Sequence, residues 1–410
     1  MNASRTHVVV VVTRFMAGAG GVALRGALGL DPERYDVSFV TGGGRLVDHA
    51  RAAGFEVTVL PELVANISPW HDLRAVHALT RRLGADRPDI VHTHSAKAGA
   101  IGRLAAHRAG VPWVVHTYHG FPFHEFQRPW TRYAYVAAER SLCRRTDVVL
   151  AVGSAVAVEA IRRGVASPAQ LRTIDIAIDS IAITRTPESR RRARALLGIP
   201  DQAPVVGTVG RLDYQKAPEI FFEAFAALRN RRAIAVWAGD GTLRHMVEDL
   251  VTRLGIADRV LLLGDRSDVP EILPAFDVFA MSSRYEGVPC AIVEAMTAGV
   301  PVIATAVNAV ADVVVPGETG VLVPPQRPTA LAAAIDGVLD DPVSAQLRAV
   351  RAKDWLGERF GAERLGAVLD EVYSRRLANH GGYASAPSAG LKSGNLTWYR
   401  AARAAASSRE

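Results

Sequence analysis

Two carboxylates, Glu286 and Glu294, stand eight positions apart around Gly287-Val288-Pro289, with Gly299-Val300-Pro301 behind them. The spacing predicts a loop feeding a short helix. Pro289 is expected at the first helical position, where a missing N–H costs nothing. Gly299 is expected at the C-terminal cap, with Pro301 as a stop. Glu286 then lies just ahead of the helix and Glu294 in its second turn. The backbone N–H groups of Gly287, Val288 and Cys290 are expected at the helix start, where free donors and the helix dipole attract anions. Carboxylates can grip sugar hydroxyls, and such donors can hold a phosphate. Together they suit a nucleotide sugar. A pair of glycosidase carboxylates is the competing reading, but that chemistry needs them on two sides of one bond, and one helix does not place them so.

Arg211 and Lys216 are five residues apart, starting where a predicted strand ends. That loop can aim both at one diphosphate, Arg binding two oxygens and Lys acting as a point charge. No Asp-x-Asp pair follows a predicted strand to hold a divalent metal against phosphates. Fixed cations are the expected substitute, and no metal or other cofactor is expected. His119 lies past a predicted strand and before Gly120, where an imidazole can donate or accept at neutral pH. His92 and His94 suggest a metal pair, but as alternate residues at a strand end they are expected to point apart. Gly20 and Gly21 allow close approach of the first strand and helix. A Gly-x-Gly-x-x-Gly dinucleotide fingerprint, with its acid about 20 residues on, is not well met.

The elements that must carry these residues alternate. Strands are predicted at His7–Thr13, Asp36–Thr41, Glu56–Leu60, Asp89–His92, Trp113–Thr117 and Asp147–Val152, with helices at Arg45–Ala53, Leu73–Asp86, Ala98–Ala109 and Trp130–Arg144. A break falls near Thr186-Pro187-Glu188-Ser189, and Arg190–Leu197 reads as a charged helix. Strands then recur at Val205–Val209, Ala233–Ala238, Val260–Leu263, Val278–Met281, Val302–Thr305 and Gly320–Val323, with helices at Glu219–Asn230, Thr242–Leu254 and Val269–Ala275. Ala330–Leu377 is amphipathic at helical spacing. This is an α/β chain of two doubly wound parallel sheets facing across a cleft, because ligands collect at the carboxyl ends of parallel strands. Residues 1–185 form the first domain and 186–350 the second. Helices over 351–378 are expected to return to the first, and 379–410 is expected to be disordered.

The 410 residues exceed one core. With 49% hydrophobic and 22% charged residues the composition is that of a globular protein. Only Cys143 and Cys290 occur, which argues against a disulfide framework and for a reducing compartment. No apolar run approaches the ~20 residues of a membrane span, and the polar start is not a signal peptide. A cytoplasmic protein is expected, with a peripheral place on the inner membrane face left open. The net charge of +7 suits phosphorylated or anionic partners; an arginine-rich surface with no such partner is the plainer reading. Phe121–Arg145 interleaves Phe123, Phe126, Trp130, Tyr133 and Tyr135 with five arginines. This segment reads equally as an anionic membrane face and as a helix with its aromatic side in the core.

In their order and spacing these motifs resemble glycosyltransferase family 4, retaining nucleotide-sugar enzymes of the GT-B fold found in bacterial surface-polysaccharide biosynthesis. The resemblance runs from about residue 7 to about 377. It is carried by Glu286-x7-Glu294 with Ala-Gly-Val-Pro-Val-Ile-Ala-Thr at 298–305, by Val209-Gly210-Arg211-Leu212-Asp213-Tyr214-Gln215-Lys216, and by Gly239-Asp240-Gly241. Leu263-Gly264-Asp265-Arg266-Ser267-Asp268-Val269, Gly20-Gly21 with Arg25, Asp89-Ile90-Val91-His92-Thr93-His94 and His119-Gly120-Phe121 complete it. One departure is Ala217, where the family usually has glycine.

The resemblance implies roles. Arg211 and Lys216 would neutralise the departing diphosphate, Glu286 would contact donor-sugar hydroxyls and Glu294 the ribose. His119 would lie near the reacting carbon, while His92 and His94 would line the cleft. The Gly20–Gly21 loop would meet donor phosphate or acceptor, Gly287 and Val288 would offer backbone donors, and Arg266 would approach the base. A metal-independent, retaining transfer to an acceptor hydroxyl follows. The acceptor would be a lipid-linked saccharide of exopolysaccharide, capsule or O-antigen assembly, or a small molecule; nucleic acid is not expected as a partner. Three other classes compete: a nucleotide-sugar 2-epimerase on the same fold, a nicotinamide-dependent oxidoreductase, and a binding-only scaffold. Intact Arg211, Lys216, Glu286, Glu294 and His119 argue against the scaffold.

Overall fold

Runs such as Val8–Val12 are β-branched throughout, and a strand buried on both faces needs that. In the computed structural model, which describes residues 5–16, 18–64, 66, 68–123, 126–178, 184–357 and 359–380, such runs build two parallel sheets. The first holds β1 (Thr6–Val12), β2 (Tyr35–Thr41), β3 (Glu56–Val59), β4 (Ile90–His94), β5 (Trp113–Tyr118), β6 (Val148–Val152) and β7 (Leu171–Ile174). Its spatial order is β3-β2-β1-β4-β5-β6-β7. The second holds β8 (Val205–Val209), β9 (Ile234–Ala238), β10 (Val260–Gly264), β11 (Val278–Met281), β12 (Val302–Thr305) and β13 (Val321–Val323), in the order β10-β9-β8-β11-β12-β13.

The helices cover both sheets. They are α1 (Ala19–Leu28), α2 (Leu46–Ala52), α3 (Pro69–Asp86), α4 (Ala96–Ala109), α5 (Pro129–Cys143), α6 (Ser154–Arg162), α7 (Pro187–Leu197), α8 (Pro218–Ala226), α9 (Arg244–Arg253), α10 (Val269–Ile272) and α11 (Cys290–Ala298). The chain closes with α12 (Pro328–Asp340), α13 (Pro342–Leu356) and α14 (Ala362–His380). Each sheet reverses direction of growth at its first strand, β1 or β8, and that switch point opens a crevice at the carboxyl ends of the strands.

The second core is aromatic. Phe221, Phe222 and Trp237 are buried with rings 5.1–5.8 Å apart. Trp237 also donates its indole N–H to the carbonyl of Gly210 at 2.7 Å, which fixes the loop leaving β8. Under the first sheet, Arg103, Glu139 and Tyr118 are buried together. Glu139 accepts from Arg103 and from the Tyr118 hydroxyl, each at 2.7 Å.

Among the described residues, those up to Val372, with both sheets, belong to one compact unit and those from Tyr373 on to another. Within the first unit the late chain meets the first sheet's layer. Arg359 pairs bidentately with Asp175 at 2.8 and 2.9 Å, and Ile178 donates its N–H to the carbonyl of Phe360. Asp370 accepts from the Tyr35 hydroxyl at 2.6 Å.

The structure adds α6 and β7, which the sequence reading passed over. The single amphipathic stretch 330–377 becomes three helices, because Pro342 starts a new one and Gly357 interrupts the next. Of the tail 379–410 expected to be disordered, residues 379 and 380 end α14 and the rest lie outside the described residues.

Candidate functional site

The loop leaving β8 carries Arg211 and Lys216, and the loop leaving β11 carries Glu286. The two loops are tied together. Arg284 donates its backbone N–H to the carbonyl of Gln215, and the Ser282 hydroxyl donates to the carbonyls of Lys216 and Ala217. Gly210 lets the Lys216 stem lie flat, since a β-carbon there would approach Lys216 Cε at 3.2 Å. The result is an ion pair: Lys216 Nζ lies 2.5 Å from Glu286 Oε1, with side-chain exposures of 16% and 5%. Ser283 donates its hydroxyl to the same oxygen at 2.6 Å, and Gln215 donates its amide to the other at 3.2 Å. Asn308 accepts the backbone N–H of Glu286. A carboxylate held by an ammonium, a hydroxyl and an amide is fixed in direction.

Arg211 is more open, with 65% of its side chain exposed, and reaches Asp213 at 2.9 Å and Gln215 at 3.2 Å. Ala217 adopts φ 49°, ψ 57°, left-handed backbone. That conformation explains why glycine is the usual residue there, since a β-carbon costs roughly 1–2 kcal/mol in it.

Helix α11 begins at Cys290, one residue later than expected. Pro289 is its N-cap with extended ψ of 100°, so Gly287 and Val288 belong to the loop ahead of it. Gly299 closes the helix in the left-handed conformation as expected. Glu294 sits half-buried in the second turn, flanked by buried Val293 and Ala295. At the helix start the Cys290 thiol feels Glu294 and Glu286, Lys216, and Arg25 from α1 of the other half. Burial first, then Glu294, push that thiol up to about 12, so it stays protonated.

The first sheet presents imidazoles to the same cleft. Gly287 packs its α-carbon on the carbonyl of His119, which brings the two halves into contact. His119 and His94 share a hydrogen bond, Nε2 to Nδ1, at 2.9 Å. His92 bonds the Thr117 hydroxyl at 2.7 Å, and its ring lies tilted against that of His94 with centroids 4.3 Å apart. The expectation that His92 and His94 point apart is wrong. Strand side chains repeat every two residues, so alternate positions share a face. Burial depresses all of these rings: His119 to about 4 and His92 to about 3, with His94 and His116 well below 6.5. They are neutral at pH 7. Among the described residues no cluster of three or more His, Cys, Asp or Glu is arranged to hold a metal.

Gly20 and Gly21 fall in the first turn of α1 rather than in a loop. A β-carbon on Gly20 would meet Arg14's carbonyl oxygen at 3.0 Å, and one on Gly21 the Arg25 guanidinium at 2.9 Å. The close approach to the chain leaving the first strand is present at Gly20, whereas Gly21 faces Arg25 of its own helix. Arg266 stands apart from the Lys216–Glu286 group, engaged with Asp268 through two nitrogens. The aromatic segment divides. Phe123 is buried, whereas Trp130 is 67% and Tyr133 73% exposed, and α5 turns Val136, Leu142 and Cys143 inward. The core reading fails for Trp130 and Tyr133.

Sequence reasoning missed Gln215, Ser283, Asn308 and the bridging Asp312. Asp312 accepts from the Ser154 backbone N–H at 2.6 Å and from its hydroxyl at 2.5 Å, a carboxylate of the second half capping α6 of the first. Phe126 adds a contact to Tyr214 across the same boundary, with ring centroids 6.0 Å apart. A one-dimensional pattern holds no signal for Asp312. Gln215 lies inside a motif that did carry one.

Comparison with known proteins matches residues 3–175 to the family described as "Glycosyl transferase 4-like domain" and residues 189–354 to "Glycosyl transferases group 1". An Escherichia coli protein named UDP-Gal:alpha-D-GlcNAc-diphosphoundecaprenol alpha-1,3-galactosyltransferase is 32% identical over 299 residues, 72% of this chain and 77% of that one. A D-inositol 3-phosphate glycosyltransferase of Streptomyces scabiei is 29% identical over 365 residues, 83% of this chain and 79% of that one. Among solved structures, Anabaena HepE with UDP and glucose superposes with a TM-score of 0.78 at 21% identity, covering 90% of this chain and all of the other.

Proposed function

We propose a function that proceeds from one premise: the chain belongs to the glycosyltransferases, as a GT-B, family 4-like member. It is a glycosyltransferase that takes its sugar from a nucleotide-sugar donor. The finer reading is a retaining transfer without a metal ion, from a nucleotide-diphosphate sugar to a hydroxyl of a lipid-linked saccharide. The observation that carries it is the Lys216–Glu286 pair at 2.5 Å, set against His119 through Gly287.

In this reading the bond from C1 of the sugar to the diphosphate breaks while the acceptor hydroxyl attacks C1 from the same face. The acceptor's proton passes to the departing phosphate oxygen. Lys216 and Arg211 receive the growing phosphate charge, and such electrostatic help is usually a large part of catalysis. Glu286 holds hydroxyls of the donor sugar and Glu294 those of the ribose. Gly287 and Val288 lend backbone donors, Arg266 lies toward the base, and α1 with Gly20 and Gly21 closes the phosphate side. His119, neutral at working pH, meets the sugar beside the reacting carbon.

The lipid-linked acceptor draws support from the E. coli relative's name and from exposed Trp130 and Tyr133 beside Arg128 and Arg140. Amphipathic rings with cations suit an anionic membrane surface, which supports a peripheral position on the inner face. No helix among the described residues is long and apolar enough to cross a membrane. The D-inositol 3-phosphate relative favours a second reading, a small-molecule acceptor.

The test incubates the protein with UDP-sugars and either a polyprenyl-diphosphate saccharide or a small polyol, with and without EDTA. UDP release with an α-linked product, unaffected by EDTA, is expected. An epimerised sugar from donor alone would replace transfer with 2-epimerisation, and an inverted product would refute retention.

A further inference from the structure

We propose that His94 is a positioning residue for His119: it occupies Nε2 of that ring and so leaves Nδ1 as the nitrogen available to the donor. The inference rests on the reading that His119 meets the donor sugar. His94 closes β4 and is only 4% exposed. Its Nδ1 lies 2.9 Å from His119 Nε2, and the two rings are tilted with centroids 5.2 Å apart. A neutral imidazole has one donor and one acceptor nitrogen. Whichever ring carries the shared proton, Nε2 of His119 is spent and its Nδ1 must play the complementary part.

The packing around His94 serves the same end. The His92 ring packs against it, tilted 35° with centroids 4.3 Å apart, and His92 is itself hydrogen-bonded to the Thr117 hydroxyl on the neighbouring strand. Three rings are thus braced in series from the sheet to the cleft: His92, His94, His119. His119 needs the bracing because it lies beyond the end of β5, where no ladder hydrogen bond orients it. A ring spinning about its last torsion would offer the donor either nitrogen or a C–H edge, and a hydroxyl can use only one of them. Tying the tautomer to that of His94 and fixing the plane in advance lowers the cost of the productive contact.

The test compares His94→Leu, which removes the bond, with His94→Gln, whose amide can still reach Nε2. Long-range ¹H–¹⁵N spectra of labelled protein are expected to show one His119 tautomer in the parent and in His94→Gln, and a mixture in His94→Leu. Transfer assays are expected to show kcat lowered about tenfold in His94→Leu with donor KM little changed, and largely restored in His94→Gln. If His94→Leu does not fold, His94→Phe keeps a ring packed against His92 and serves in its place. An unaltered His119 tautomer in the apolar variant, or His94→Gln as impaired as His94→Leu, overturns the proposal. His119→Ala separates the two readings: full transfer in that variant removes His119 from the donor site, whatever the spectra show of its coupling to His94.

Discussion

The α-carbon of Gly287 lies against the carbonyl oxygen of His119, so close that a methyl group there would overlap it. This contact joins the half that carries Lys216 and Glu286 to the half that carries the histidines. Gly287 is not required for its backbone freedom, since its φ is not positive. It is required for space. Gly287→Ala is therefore expected to hold the halves apart, cutting kcat/KM at least a hundredfold while the melting temperature changes by only a few degrees. Near-parental turnover would show that the contact is dispensable.

Lys216→Ala removes the ammonium that faces Glu286 and leaves Ser283 and Gln215 in place. Losing one preorganised charge at a leaving group costs about 10²–10³ in kcat. Turnover is expected to fall by at least that much, with single-turnover UDP release as the measure. Unchanged turnover would remove Lys216 from the chemistry.

Asp312 joins the halves at a second point by capping α6 through Ser154. A carboxylate at a helix N-terminus contributes about 1 kcal/mol, here to the contact between the two halves. Asp312→Asn is expected to raise donor KM about fivefold and to enlarge the radius of gyration measured with UDP-sugar bound. Should both stay at parental values, the bridge does not bias closure.

Ala217 carries left-handed strain immediately after Lys216 in the chain. Ala217→Gly is expected to raise unfolding stability by about 0.5–1 kcal/mol with kcat unchanged. Urea denaturation decides it, and a destabilised variant would mean that the packing of this buried methyl outweighs the strain.

The histidines make stability depend on pH. Burial lowers His119 to about 4 and His92 to about 3, against 6.5 for an exposed ring. Between those values the unfolded chain binds protons that the folded chain refuses. Stability is therefore greatest above about pH 6.5 and falls as the pH drops toward 4. The urea midpoint should be lower at pH 5 than at pH 7, with a smaller difference in His119→Asn. A midpoint that rose on acidification would contradict the burial of these rings.

The sequence by itself determined the two sheets and the motif loops. β-Branched runs such as Val8–Val12 and glycine or proline stops such as Gly299 act through local sterics, which a linear pattern records. It also placed Glu286, Arg211 and Lys216 on the loops, and Glu294 on the helix, where they are found. Its failures came at longer range or from misread periodicity. His92 and His94 pack together because strand side chains repeat every two residues. Only the tertiary structure decided that Lys216 meets Glu286 70 positions away, that Asp312 caps a helix 158 positions earlier, and that Trp130 faces solvent while Phe123 does not. Those outcomes depend on which surfaces the two sheets turn toward each other, and no local propensity encodes that.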